Sequence, residues 1–467
     1  MSAVFAILLI LTVFIRPQEF IPALQPLSLL NVFTVLAVLT AVFESLSGKK
    51  KLPLRSPQLA FLAAFIAWAF LATFIRIKVD AFEKIWKTVG FSAIFMLVTI
   101  LAGRTYKRIV ALACVLCAVS AFLIGVGIAQ ARADFQCIEI PEAERDDTTV
   151  ATGIPNGKSC LNREGEPKLA ACYDEDDPTS FAKEFMCEKV GPFDTFSIGK
   201  GRVRWRGILA DPNELSLAIG ASLAFVLGIY GILRGKLRHL GVLAIVGGAG
   251  YVVIQTQSRG GILVLLAVFA VYFVRRYGLK GIAFGAVMGA PLLLLGGREG
   301  EEARASTIER TEALYEGINM VKEFPVFGVG VNQFTDHHII TAHNSYLLAA
   351  SELGFIGMVL WTSLFYVSVK IPVLVATSRD PGLEHLRPLA FSLVAAFAAI
   401  AVGITFLSFS YHNMLFIYLG LAGALYGVAR EESPRFKMKV KAKEIALVAA
   451  ADAALLLFLF VYTRLKV

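Results

Sequence analysis

Residues 240–276 read LGVLAIVGGAGYVVIQTQSRGGILVLLAVFAVYFVRR. Two apolar runs, 240–256 and 261–274, meet at Gln257-Ser258-Arg259-Gly260 with no loop between them to hold the arginine in water. Runs of this length cross most of a bilayer, and in hydrocarbon a helix satisfies its own backbone polar groups. An arginine at the bilayer centre costs at least about 2.5–3.5 kcal/mol. Arg259 therefore belongs at an interface, where it either snorkels to the headgroups or pairs with an anion. Gly260 and Gly261 let a ligand approach the backbone closely there.

The same pattern recurs along all 467 residues, 57% of them apolar and only 17% charged, against about 25% charged in soluble domains. Further runs lie at 3–15, 27–46, 57–75, 88–102, 109–130, 213–233, 281–296, 345–370, 388–409, 411–429 and 444–463. They predict an all-α, polytopic membrane protein with 12 or 13 transmembrane helices; the first run is short, and 388–429 is interrupted only at Phe409 to Asn413. The start has no basic segment and no clear small-residue cleavage site, so the first span is expected to remain in the mature protein.

One set of short loops carries 22 Lys and Arg and the opposite set 8. By the positive-inside rule this puts both long loops, 131–200 and 297–344, on the outer face. The net charge of +9 is then a topology signal, and no nucleic-acid partner is expected. Lys437 to Lys443 reads as an inner-surface anchor on anionic lipid. The chain divides into N-terminal spans (1–130), an outer loop (131–200), central spans (201–296), a second outer loop (297–344) and C-terminal spans (345–467).

The first outer loop holds 15 acidic and 8 basic residues with Cys137, Cys160, Cys172 and Cys187. Four cysteines in an oxidising compartment predict two disulfides, with three possible pairings. Their spacing is poor for zinc. Cys114 and Cys117 lie in an apolar run and read as small core residues. In the second loop, apolar residues at 308, 314, 318 and 321 with charges between them predict an amphipathic helix over Thr307–Val321 along the membrane surface. A tight turn follows at Phe327-Gly328-Val329-Gly330. It is no dinucleotide fingerprint, because no strand precedes it.

Three segments place a basic residue where an outer-face span begins: Arg206 before Asp211-Pro212-Asn213-Glu214, Arg259, and His343 before Asn344-Ser345. Helix N-termini beside arginine form an anion site, and the anion at a membrane surface is a lipid phosphate or pyrophosphate. Arg202, Arg204 and Arg206 alternate, which also fits an extended, solvated approach with phospholipid contacts. Asp211 is a good N-cap and Pro212 fits the first helical position. A helix N-terminus and a nearby arginine both disfavour protonated His343, leaving a neutral ring able to take a proton from a hydroxyl. The bland alternative is an interface histidine bonded to backbone. His337, His338 and His343 are spaced by one and five residues, a poor spacing for three metal ligands on one helical face, so no metal or other cofactor is expected. Glu352 and Asp452 are isolated acids in otherwise bare spans, unlike the mid-membrane ionisable residues of a secondary transporter.

At these residues the chain resembles the O-antigen ligase and polymerase superfamily, which includes bacterial O-linking oligosaccharyltransferases. The resemblance rests on Arg206-Gly207 with Asp211-Pro212-Asn213, on Ser258-Arg259-Gly260, and on Glu309-Arg310. Most specific is Phe324-Pro325-Val326-Phe327-Gly328-Val329-Gly330 running through His343-Asn344-Ser345-Tyr346 to Glu352-Leu353-Gly354-Phe355-Ile356-Gly357. It covers roughly 200–370; the cysteine-bearing loop departs from the usual pattern. The resemblance implies a GT-C-type glycosyltransferase of the bacterial inner membrane with its site facing the periplasm. The implied donor is a glycan on undecaprenyl pyrophosphate, and the acceptor a hydroxyl of lipid A-core, another glycan or a protein. It further implies His343 as base, with Arg206, Arg259, Arg310 and Arg204 around the pyrophosphate and no cofactor. Ligase, repeat-unit polymerase and protein O-oligosaccharyltransferase are alternatives within the family; a non-enzymatic translocator of lipid-linked glycans is the competing class.

Overall fold

The computed structural model describes residues 1–47, 56–141, 153–230 apart from 163, 174–179 and 182, and 235–466 apart from scattered positions between 279 and 299. Among these, ten helical stretches are long and apolar enough to cross a membrane, and the protein is a multi-pass helical membrane protein. The helices are α1 (Ser2–Ile15), α2 (Leu29–Leu46), α3 (Gln58–Ile77), α4 (Ala81–Ile85), α5 (Phe91–Ala102), α6 (Tyr106–Arg132), α7 (Pro212–Tyr230), α8 (Leu237–Gln255) and α9 (Arg259–Tyr277). They continue as α10 (Gly300–Glu323), α11 (Ser345–Thr377), α12 (Arg387–Gly403), α13 (Asn413–Glu432) and α14 (Ala442–Lys466).

Two expected spans are contiguous. The runs at 57–75 and 88–102 belong to one helical stretch, Gln58–Ala102, counted once among the ten. Its backbone breaks after α3 at Lys78 (φ 52°, ψ −108°), and a π turn at Trp86–Gly90 joins α4 to α5. The run at 281–296 lies mostly outside the described residues.

The bundle is ordered by how many faces each helix buries. α7 packs against α6, α9 and α12, and α13 packs against α5 and α11; both are apolar on nearly every side and sit inside. α14 keeps Leu457 and Phe458 each 63% exposed, as a lipid-facing helix does. Small residues bring the inner helices together. A Cβ on Gly220 of α7 would lie 2.4 Å from Val264 of α9, and one on Gly420 of α13 would lie 2.6 Å from Thr99 of α5.

α11 is broken at Gly354 (φ 69°, ψ 179°). The break frees carbonyls that a continuous helix would use internally, and the segment before α11 satisfies them. The N–H of Val329 donates to Ser351 O (2.9 Å), that of Gly330 to Glu352 O (2.8 Å), and that of Phe355 to Pro325 O (2.8 Å). α3 fastens the joint: Arg76 Nε donates to Gly328 O (2.6 Å), Trp68 Nε1 to Leu353 O (2.9 Å), and Trp68 stacks on Phe327. Glu352, isolated in the sequence, accepts the Phe334 N–H at 3.3 Å and so holds the following turn.

The cysteine-bearing loop forms a small antiparallel sheet that the sequence reading did not anticipate. Its strands are β1 (Phe135–Ile140), β2 (Ile154–Ser159), β3 (Glu184–Gly191) and β4 (Thr195–Phe196), in the order β2-β1-β3-β4. Disulfides join Cys137 to Cys172 and Cys160 to Cys187, and the four sulfurs with Phe185 make the module's buried centre. Cys114 and Cys117 are free, and Cys114, expected in the core, faces outward from α6. With six cysteines in the chain, denaturation without reductant should expose two alkylatable thiols, and with reductant six. More than two in the first case would overturn the pairing.

Candidate active site at the loop face

Three helix starts converge where the two long loops lie. α7 begins with a capping box: Asp211 Oδ1 accepts the Asn213 N–H (2.6 Å), while the Asp211 N–H points back to Glu214 Oε2 (3.4 Å). α9 begins at Ser258, whose hydroxyl accepts the Gly261 N–H (2.8 Å) and itself donates to Asn213 Oδ1. The two N-termini are thereby tied to each other. Gly261 permits this, since a Cβ there would lie 2.5 Å from the Ser216 side chain.

α11 begins at Asn344, whose side chain accepts the Leu347 N–H (3.0 Å). His343 precedes it in a left-handed conformation (φ 46°), with its N–H on Ser408 Oγ (3.0 Å). Ser345 secures the same loop from the other side, accepting the Phe409 N–H at 2.8 Å. The start of α11 and residues 404–410 thus form one hydrogen-bonded unit that fixes where the histidine projects.

Two cavities open between these elements. The first, about 190 Å³, is lined by Arg202, Asn213, Ser258, Arg259, Gly260 and Arg310, among others. Three arginines line it, and no carboxylate does among the described residues. The second, about 460 Å³, runs past His343 and Asn344 to Leu455, Phe458, Leu459 and Tyr462 of α14. Thr307, Arg310 and Phe406 line both, so the two adjoin in one cleft, with Arg202 and Arg259 on the first cavity, His343 and an apolar wall on the second, and Arg310 on both.

Arg310 comes from α10, longer than the helix expected at 307–321. Ile308 faces outward at 57% exposure, while Ile318 is buried with Leu347 and Leu459. α10 lies against α11 and α14, which is how its arginine reaches the cleft.

Arg206 and Arg204 do not line it. The Arg206 guanidinium donates to Glu19 O (2.9 Å) and to Phe193 O, with its face toward Phe20. Arg204 Nε donates to Phe196 O (2.9 Å). Burial lowers the pKa of both, opposed by Glu188 and Asp211 near Arg204 and by Glu19 and Asp194 near Arg206. The arginine that reaches the cavity is Arg202, absent from the expected set. Its Nε caps the end of α8 by donating to Thr256 O (3.1 Å). Phe406 and the α14 wall were also not foreseen. His338 Nδ1 lies 3.0 Å from Ile340 O, a local turn contact.

Residues 242–362 match the O-antigen ligase family. This segment supports a place for the chain in the O-antigen ligase and polymerase superfamily. The matched segment contains Arg259, Arg310 and His343, and its ends fall in α8 and α11. Arg202 and the disulfide module lie outside it. No curated protein matches the chain. The match supports an O-antigen ligase or polymerase type of function in general.

Proposed function

We propose that the protein transfers a glycan from undecaprenyl pyrophosphate to an acceptor hydroxyl at the periplasmic face of the bacterial inner membrane. The observation that carries this is the pair of adjoining cavities that sets a cluster of arginines, with no carboxylate lining it among the described residues, beside His343. Arg259 and Arg310 hold the diphosphate. His343 takes the proton from the acceptor hydroxyl, whose oxygen attacks the anomeric carbon as the bond to the phosphate oxygen breaks. The electron pair leaves with the lipid pyrophosphate, beside the guanidinium groups. Hydrogen bonds to charged groups contribute about 1.5–3 kcal/mol each, and a helix terminus about 0.3–1 kcal/mol. The arginines therefore dominate, and the starts of α7 and α9 assist. Arg204 and Arg206 hold backbone around the site instead of the pyrophosphate.

Guanidinium groups here take the part that a divalent cation plays on a sugar-nucleotide diphosphate. Purified protein in lipid, given a lipid-linked glycan donor and an acceptor, should transfer glycan equally well with and without EDTA. Loss of transfer in EDTA that a divalent cation restores would remove this mechanism. Ligase and polymerase chemistry share the site, and the ligase reading is the one we propose. A deletion strain then accumulates full-length glycan still on its lipid; accumulation of single capped repeats would make the protein a polymerase.

A further inference from the structure

The disulfide module is joined to the cavity through one buried carboxylate. Glu188 follows Cys187 on β3 and is 8% exposed. It accepts the N–H of Lys200 (3.2 Å), the N–H of Gly201 (3.1 Å) and the hydroxyl of Ser197. Those two amides lie in a run of three successive left-handed residues, Gly199 (φ 55°), Lys200 (φ 63°) and Gly201 (φ 90°). Such a run turns consecutive N–H groups to one side, where they cradle an anion. A non-glycine residue in this conformation persists only when its surroundings hold it there. Ile198 and Arg202 close the turn with paired backbone bonds of 3.0 and 3.1 Å. The next side chain is Arg202, which lines the arginine cavity.

We propose that Arg202 is a third ligand of the donor's diphosphate and that Glu188 is its positioning residue, so that the disulfide module completes the anion site. This rests on the reading of the cavity as a pyrophosphate site. Ser197 ties the device to β3, since its hydroxyl also accepts the Lys189 N–H at 2.8 Å. Val203 fixes the other side by donating to Gln255 O at 3.1 Å. With both flanks anchored, the carboxylate sets the direction in which Arg202 leaves the turn.

The test measures binding of inorganic pyrophosphate by calorimetry, and donor and acceptor KM, on the full-length protein in lipid. Arg202→Ala should weaken pyrophosphate binding by about 10-fold or more, the loss of a charge-assisted contact. Glu188→Gln should weaken it by several-fold and raise donor KM with acceptor KM unchanged. In the Arg202→Ala background, Glu188→Gln should have no further effect, because residues acting through one another are not additive. An equal loss in both backgrounds, or a rise in both KM values, overturns the positioning role. Should Glu188→Gln fail to fold, Ser197→Ala removes one of the same hydrogen bonds while leaving the carboxylate, and the same non-additivity is expected. If Arg259→Ala also leaves pyrophosphate binding unchanged, the pyrophosphate reading itself falls. If Arg259→Ala weakens binding and Arg202→Ala does not, only the present inference falls.

Discussion

Replacing His343 by alanine should lower the transfer rate by about 10²–10⁴-fold while donor binding changes little. The imidazole takes up a proton only as the acceptor oxygen attacks, so its contribution belongs to the transition state. On the proposed reading the pyrophosphate binds among the arginines and loses nothing when the ring is removed. Backbone geometry supplies a control. His343 occupies the left-handed region (φ 46°), which asparagine tolerates better than most side chains. His343→Asn should keep the turn and its bond to Ser408 yet lose as much rate as alanine. Near-normal turnover in either folded variant would reduce the histidine to a helix-end residue.

Arg259→Ala should give the complementary result, with donor binding and turnover falling together. If, as proposed, Arg259 meets the pyrophosphate before and during bond cleavage, removing it should weaken donor binding by about 10–100-fold, the equivalent of one charge-assisted contact of about 1.5–3 kcal/mol. Lysine should rescue poorly, because it offers a point charge without the planar fork. Gly297 supports this geometry: a Cβ there would lie 2.5 Å from Arg259 Nε, so the guanidinium is threaded past bare backbone. Arg206→Ala is the contrast. Its guanidinium holds the Glu19 and Phe193 carbonyls, so its loss should reduce the yield of folded protein more than the donor affinity of what folds. Normal donor binding by Arg259→Ala, measured beside impaired binding by Arg206→Ala, would reverse the two assignments.

What could be read from the chain was local. Asp211-Pro212 announces the start of α7, and an arginine stranded between two apolar runs announces the α8–α9 turn; both signals lie within a few residues of what they predict. The fate of Arg202, Arg204 and Arg206 was not local. Equal spacing in a regular extended segment would send all three the same way, but Arg202 reaches Thr256 O at the end of α8, Arg204 reaches Phe196 O, and Arg206 reaches the Glu19 and Phe193 carbonyls. The side chains part, and only Arg202 enters the cavity. Phe406 and the α14 wall were hidden for another reason. They reach the site by packing across the bundle, and an apolar run carries no sign of which partner it will meet. The sheet in the cysteine-bearing loop was masked by composition, since its charged and polar strands lack a clean two-residue alternation.

The joint at Gly354 carries a consequence for how this sequence can drift. On its own side the joint bonds through main-chain atoms, with Arg76 and Trp68 of α3 donating to two of its carbonyls, so the bonds place little demand on which apolar side chains hang from 326, 329 or 353. The demand falls on two positions that have no side chain. A methyl group on Gly328 would sit 2.3 Å from the carbonyl carbon of Glu352, and one on Gly354 would sit 2.0 Å from the Val326 oxygen. In a library selected for transfer, apolar exchanges at Val326 and Val329 should survive while even alanine at 328 or 354 is purged. The segment would then keep its glycines long after its hydrophobic lettering had changed.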